Sequence, residues 1–204
     1  MNGGSNVKLF IEVFVTLFVI MDPPGTIPLF LSLTGGRTVE MRRRLAWQAV
    51  LVAFFVITVF ALFGQSILNY LGITLPAMQA AGGLLLLLVA LELLTGKADE
   101  PAQTSNVNVA LVPLGTPLLA GPGAIVATIV FARGVDGFAD AATIAAAIVA
   151  VHLVLWLFLR FSVGIMKVIK DSGVTLISRI AGLLLSAIAV QLIADAITAF
   201  VAEA

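Results

Sequence analysis

The chain has 204 residues, of which 61% are apolar and 11% charged, with a mean hydropathy of +1.16. A soluble domain must turn a polar outside to water and has no place for this many apolar side chains, so the composition is that of an integral membrane protein. The 11 Lys and Arg offset 11 Asp and Glu, which argues against a nucleic-acid partner; zero Cys and one His leave neither disulfides nor a thiolate or multi-His metal site.

Six apolar segments follow one another, at 8–34, 43–64, 76–95, 109–133, 141–161 and 176–201. Each can supply a helical span of about 20 residues, and the short alternating strands of a membrane β-barrel are missing. The first segment starts behind Lys8 and runs past Asp22 to Leu33 with no small-x-small cleavage site. It reads as a first span rather than a removed signal. Segments 65–72 (apolar face Ile67, Leu68, Leu71) and 163–170 (Ile165, Met166, Ile169) are expected to be short interfacial helices. The stretch 96–108 has the Gly, Pro, Ser and Asn of a linker and lies mid-chain.

Arg37, Arg42, Arg43, Arg44, Lys97, Arg160, Lys167, Lys170 and Arg179 fall on one side of this arrangement, and only Lys8 and Arg133 on the other. The excess of positive charge marks the cytoplasmic side. Loops 1–2, 3–4 and 5–6 are expected there, with both termini outside.

The halves of the chain match at an offset of about 98 residues. Pro24-Gly25-Thr26-Ile27 pairs with Pro122-Gly123-Ala124-Ile125, Gly36 with Gly134, Gly72-Ile73-Thr74-Leu75 with Gly173-Val174-Thr175-Leu176, and Gly83-Leu84-Leu85-Leu86 with Gly182-Leu183-Leu184-Leu185. Repeat 1 covers approximately 1–98 and repeat 2 approximately 106–204 of one transmembrane domain. Three spans per half form an odd number, so the second half starts on the opposite side and is inverted. The expected fold is an all-α membrane protein of six transmembrane segments in two inverted three-helix repeats.

Spans 1 and 4 are interrupted at their centres. Met21-Asp22-Pro23-Pro24-Gly25-Thr26 and Ala120-Gly121-Pro122-Gly123-Ala124 each combine Pro, which removes a donor and clashes with the preceding turn, with Gly. Asp22-Pro23 and Gly121-Pro122 are also good starts for a new half-helix. A broken helix in a membrane must line protein or a wet cavity. The half-helix N-termini near Thr26 and Ala124 then direct amides and positive dipole ends at that cavity, which suits a carboxylate. Asp22 is the acidic residue expected near the bilayer centre. It reads as a partner for an ammonium, a sodium ligand, a proton carrier, or a plain N-cap.

Phe18-Val19-Ile20-Met21-Asp22-Pro23-Pro24-Gly25-Thr26-Ile27-Pro28 resembles the first signature of the MarC family, also called the neutral amino acid transporter family. Val112-Pro113-Leu114-Gly115-Thr116-Pro117-Leu118-Leu119-Ala120-Gly121-Pro122-Gly123-Ala124-Ile125 resembles the second. Ala81-Gly82-Gly83 and Arg179-Ile180-Ala181-Gly182-Leu183-Leu184-Leu185 fit as well. The resemblance spans essentially the whole chain. It implies a bacterial or archaeal inner-membrane protein of six spans that transports small neutral amino acids such as alanine or glycine, coupled to protons. Where the family often has a branched aliphatic residue and Asn, this chain has Pro24 and Thr26.

Other polar residues receive weaker roles. Glu92 and Gln191 occupy matching positions in the two halves and are secondary polar candidates; facing the bundle interior is the expected reason, with a substrate contact as the lesser alternative. Asp195 and Glu92 can reach the interface by snorkelling. His152 reads as a hydrogen-bonded packing residue ahead of a proton relay, and Trp156 as packing. Thr16, Thr58, Thr128 and Ser186 are expected to bond their own helices, while Thr116, between Pro113 and Pro117, suits the cavity. Gly82, Gly83, Ala181 and Gly182 permit close helix contact.

No catalytic constellation or P-loop occurs, so the chain reads as neither an enzyme nor an ATP-driven pump, and no cofactor or metal is implied. The reading is a secondary transporter of a small zwitterion held between the breaks by Asp22, Pro23, Pro24, Gly25, Thr26, Thr116, Gly121, Pro122, Gly123 and Ala124, with Asp22 also serving a sodium or proton coupling ion. Its partners are that substrate, the lipid bilayer and, compatibly, further copies of itself. The rivals are a transporter or exporter of another solute or ion, and a membrane scaffold or regulatory protein without flux.

Overall fold

The computed structural model describes residues 3–95 and 119–203, all helix and short turns with no strand among them. Seven helices follow in order: α1 Gly3–Met21, α2 Pro23–Leu33, α3 Val39–Leu71, α4 Leu75–Thr95, α5 Pro122–Arg133, α6 Phe138–Arg160 and α7 Ser162–Glu203. Five apolar stretches are long enough to cross a bilayer: Asn6–Leu33, Val39–Leu71, Leu75–Thr95, Phe138–Arg160 and Ser172–Ala202. The shorter apolar helix Pro122–Arg133 stands where the second half of span 4 was predicted; the first half of that span lies outside the described residues.

The predicted interruption of span 1 is present. Residues 6–33 form two helices, α1 and α2, divided at Asp22. The far end of α2 is held too: Thr34 Oγ1 donates to the Phe30 carbonyl at 2.6 Å, and Arg42 Nη2 donates to the Thr34 carbonyl at 3.4 Å. A basic group at a helix C-terminus meets the negative end of its dipole.

Two connecting segments differ from expectation. Residues 65–71 continue α3 without a break and form no separate interfacial helix. Gly64 does not end the helix because it packs flat against α5, where a Cβ would stand 2.5 Å from Ile129 Cγ1. The helix stops about two turns later at Gly72, whose φ of 68° suits the left-handed cap. The helix expected at 163–170 is present as the first limb of α7, which breaks at Lys170 (φ 59°, ψ 172°).

α4 and α7 pack along each other, α1 against α6, and α3 against both α5 and α6. Of the short helices, α2 lies on α6 and α7, and α5 on α3 and α4. Phe10, Phe14 and Phe18 stack along α1 with centroids 6.0 Å apart, and Phe18 meets Phe158 of α6 edge-on at 6.3 Å. Leu17, Met21, Phe30, Ile57, Leu155 and Leu185 are buried between the helices. Phe55, Leu62, Leu88, Leu153 and Leu183 point outward and are exposed. An apolar exterior around an apolar core is what a bilayer solvent requires.

Candidate functional site

The first break is built around Asp22, which occupies the left-handed region (φ 40°, ψ 66°). Asp is one of the few non-glycine residues that tolerates it, at a cost of roughly 1–2 kcal/mol. Such strain concentrates at functional sites. The Asp22 amide still donates to the Phe18 carbonyl at 3.0 Å, closing α1, and its carbonyl accepts from the Thr26 amide at 3.0 Å, opening α2. Its Oδ1 accepts from the Gly25 amide at 3.2 Å. Its Oδ2 is buried with no partner, in a residue only 7% exposed.

Around this carboxylate, Pro23, Pro24, Thr26 and Ile27 are buried. Thr26 Oγ1 does not reach outward; it donates to the Pro23 carbonyl at 2.8 Å. Gly25 is required by crowding. A Cβ there would overlap the Asp22 carboxylate and stand 2.9 Å from Ser178 Oγ of α7. Ser178 was not singled out from the sequence. No local pattern marks it, because its place beside Gly25 depends on how α7 crosses α2.

These bonds correct one expectation. The N-terminus of α2 has no amide left for a substrate carboxylate: Pro23 and Pro24 carry no N–H, and the Gly25 and Thr26 amides are both taken by Asp22. The second break differs. Gly121 caps α5 in an extended conformation (φ −64°, ψ 166°) and has no side chain to occupy the first amides. The Ile125 amide bonds the Gly121 carbonyl at 3.1 Å. The Gly123 and Ala124 amides precede that first helical bond, at the positive end of the dipole. Gly123 is buried against α4, where a Cβ would overlap the Leu86 side chain. α1 and α5 are in contact, so the two interrupted segments meet in one bundle. Thr116 lies outside the described residues.

The sequence pattern described as MarC family integral membrane protein matches residues 7–201. The chain belongs to the MarC family. It is 36% identical to a UPF0056 membrane protein of Aquifex aeolicus over 195 residues, covering 92% of this chain and 91% of that one. It is 34% identical to UPF0056 membrane protein MJ1677 of Methanocaldococcus jannaschii (94% and 97% covered) and 30% identical to UPF0056 membrane protein YhcE of Escherichia coli (93% and 92%). No solved structure matches it. This MarC chain is thus a multi-pass integral membrane protein whose helices contact the lipid bilayer, with relatives in bacteria and archaea.

The remaining candidates of the MarC chain fall outside the breaks. Glu92 and Gln191 are both exposed rather than turned to the interior. Gln191 Nε2 donates to Asp195 Oδ1 one turn on, at 2.7 Å, which satisfies it locally. His152 is buried, with Nδ1 2.7 Å from the Ile148 carbonyl and its ring edge-on to Phe54 at 5.3 Å. Trp156 packs edge-on to Trp47 at 6.1 Å, and the Arg160 guanidinium lies 5.1 Å from its ring centroid. Thr128 and Ser186 bond their own helices at 2.7 Å.

Proposed function

We propose that this MarC chain is a secondary transporter of small neutral amino acids of the alanine and glycine class, in the cytoplasmic membrane with both termini outside. It is built from two inverted three-span repeats, 1–98 and 106–204, with the substrate near the midplane between the two breaks. The observation that carries this reading is Asp22: a carboxylate at a helix interruption within an apolar span, buried, with one oxygen left unpartnered. Ionisable groups at such depth are costly and mark pathways for substrates or ions.

The packing supports the repeat. α2 lies on α7 as α5 lies on α4, and α2 also lies on α6 as α5 lies on α3. If α2, α3 and α4 correspond to α5, α6 and α7, each contact has its counterpart. Transporters of this kind carry discontinuous helices at the repeat interface and alternate access by rocking one repeat against the other.

The two breaks are chemically unlike, which gives a zwitterion a direction. Asp22 offers negative charge at the first. The Gly123 and Ala124 amides, under a cap with no side chain, offer donors at the second. The substrate ammonium therefore faces the Asp22 side and its carboxylate faces the α5 terminus. The test is uptake of labelled alanine into proteoliposomes under proton and sodium gradients. Saturable uptake above protein-free vesicles, competed by glycine but not by acidic or basic amino acids, is expected. Flux of an unrelated solute alone, or none, would overturn the reading.

A further inference from the structure

We propose that the end of the α3–α6 pair that carries Arg43, Arg44 and Arg160 is a binding site for the phosphate of an anionic phospholipid, framed by Trp47 and Trp156. Apolar lipid contact is general to the helices; this is a defined headgroup site, and it does not rest on the transport reading.

Two ring pairs fix how the helices lie. Trp47 meets Trp156 at 6.1 Å, and Phe54 meets His152 at 5.3 Å. α3 advances from 47 to 54 as α6 retreats from 156 to 152, so the two run antiparallel and α3 begins where α6 ends. Arg43 and Arg44 stand one turn before Trp47 on α3, and Arg160 one turn after Trp156 on α6. All three cations therefore fall at the same end of the pair, just beyond its two tryptophans. Tryptophans of this kind mark the level of the lipid headgroups.

The Arg160 guanidinium is held in place and left unused. It lies 5.1 Å from the Trp156 ring centroid and 5.8 Å from that of Phe161, within cation–π range of both. The dipole of α6 favours a cation at this end but supplies no acceptor for its donors. Arg43, Arg44 and Arg160 form no ion pair and no side-chain hydrogen bond among the described residues. Glu40, in the first turn of α3, forms no ion pair with them either and suits the positive end of its own helix. Three arginines against one glutamate leave the end of the pair positive.

The chemistry of these groups selects the ligand. A planar guanidinium with five N–H donors matches the oxygens of a phosphate in a two-pronged contact. Trp47 and Phe161 are more than half exposed, and Trp156 is partly so. They offer acyl chains an apolar surface directly beside the cations. A soluble anion would use the arginines alone; a phospholipid uses both. Basic pockets between transmembrane helices take anionic headgroups in this way.

Trp47 and Trp156 are the two tryptophans of the chain, so its fluorescence reports on this site. The experiment reconstitutes the full chain in phosphatidylcholine vesicles and adds phosphatidylglycerol or phosphatidylcholine with brominated acyl chains, which quench tryptophan on contact. Half-maximal quenching is expected at about tenfold lower mole fraction for the phosphatidylglycerol, since each arginine near a headgroup contributes a few-fold. Arg160→Gln should reduce this preference to about twofold or less. Arg160→Lys should not restore it in full, because an ammonium lacks the planar fork. Arg37→Gln removes the same charge from the exposed turn before α3 and should leave the preference intact. Equal quenching by the two lipids in the parent chain would overturn the proposal. So would an equal loss in Arg37→Gln and Arg160→Gln, which is the mark of unspecific surface charge. Displacement of the brominated phosphatidylglycerol by inorganic phosphate, at constant ionic strength, would make this a free-anion site and overturn the lipid assignment. If Arg160→Gln loses helix content, the double variant Arg43→Gln, Arg44→Gln decides, and an unchanged preference there overturns the site.

Discussion

Gly83 of α4 and Gly182 of α7 make the same contact from opposite sides of one helix pair. A Cβ on Gly83 would stand 2.8 Å from the Ala189 carbonyl oxygen; a Cβ on Gly182 would stand 3.1 Å from the Ala90 carbonyl oxygen. Gly83 and Gly182 are separated by about 99 residues, and so are Ala90 and Ala189. α4 and α7 therefore run antiparallel and meet through equivalent surfaces, as a two-fold relation between the halves requires. In a bilayer, where apolar burial drives little association between helices, such backbone approach at small residues is a main source of packing.

The glycine pair gives a graded expectation. At Gly83 the obstacle is backbone at 2.8 Å, which does not yield; at Gly182 the closest atoms are 3.1 Å away and include the Leu93 side chain. Gly83→Ala should cost about 1–3 kcal/mol, the range for overpacking, and Gly182→Ala less. Unfolding of the two variants in mixed micelles measures both. Equal stability of Gly83→Ala and the parent chain would show that the helix pair is looser than described.

His152 should be replaceable. Its Nδ1 lies 2.7 Å from the Ile148 carbonyl, its Nε2 is buried without a partner, and the ring packs against Phe54. An apolar side chain of similar size loses the Nδ1 contact, about 1 kcal/mol, and removes the unsatisfied Nε2. His152→Leu is expected to stay within about 1 kcal/mol of the parent and to keep alanine uptake. Loss of gradient-driven uptake with retained stability would instead assign His152 to a proton path.

Topology can be read directly because the chain has no Cys. With nine of the 11 basic residues on one side of the expected topology, Ala204→Cys should react with a membrane-impermeant maleimide added outside intact cells. A cysteine in the turn between α2 and α3, for example Arg37→Cys, should react only after permeabilisation. The reverse pattern would invert the proposed orientation.

What the sequence revealed follows from the range of each signal. The break at Asp22 was legible because Pro and Gly act on the backbone where they stand, and the capping bond from Gly25 spans three residues. The left-handed turn at Asp22 was not, since Asp also caps helices from the extended region. The spent amides of α2 followed from the two prolines but needed the Asp22 bonds to complete the count. Glu92 and Gln191 were assigned inward because both halves are polar there. Helices apolar on all faces carry no amphipathic stripe to show which side is inside, and both residues proved exposed. Gly64 carries no signal of its own that distinguishes a helix end from a contact; Ile129, far along the chain, makes it a contact. Ser178 was invisible for the same reason.

The account stands or falls on Asp22. The most direct measurement is alanine uptake by Asp22→Asn beside the parent chain in proteoliposomes, with solute counterflow run in parallel and both normalised to folded protein. Asn caps helices as well as Asp does, so α2 should still start where it does and the protein should still fold. The charge is lost, and a charge-assisted contact is roughly twice as strong as a neutral one. Gradient-driven uptake is expected to fall at least about tenfold while helix content is unchanged. Parent-level uptake and counterflow in Asp22→Asn would contradict the account and leave Asp22 a helix cap with no part in transport.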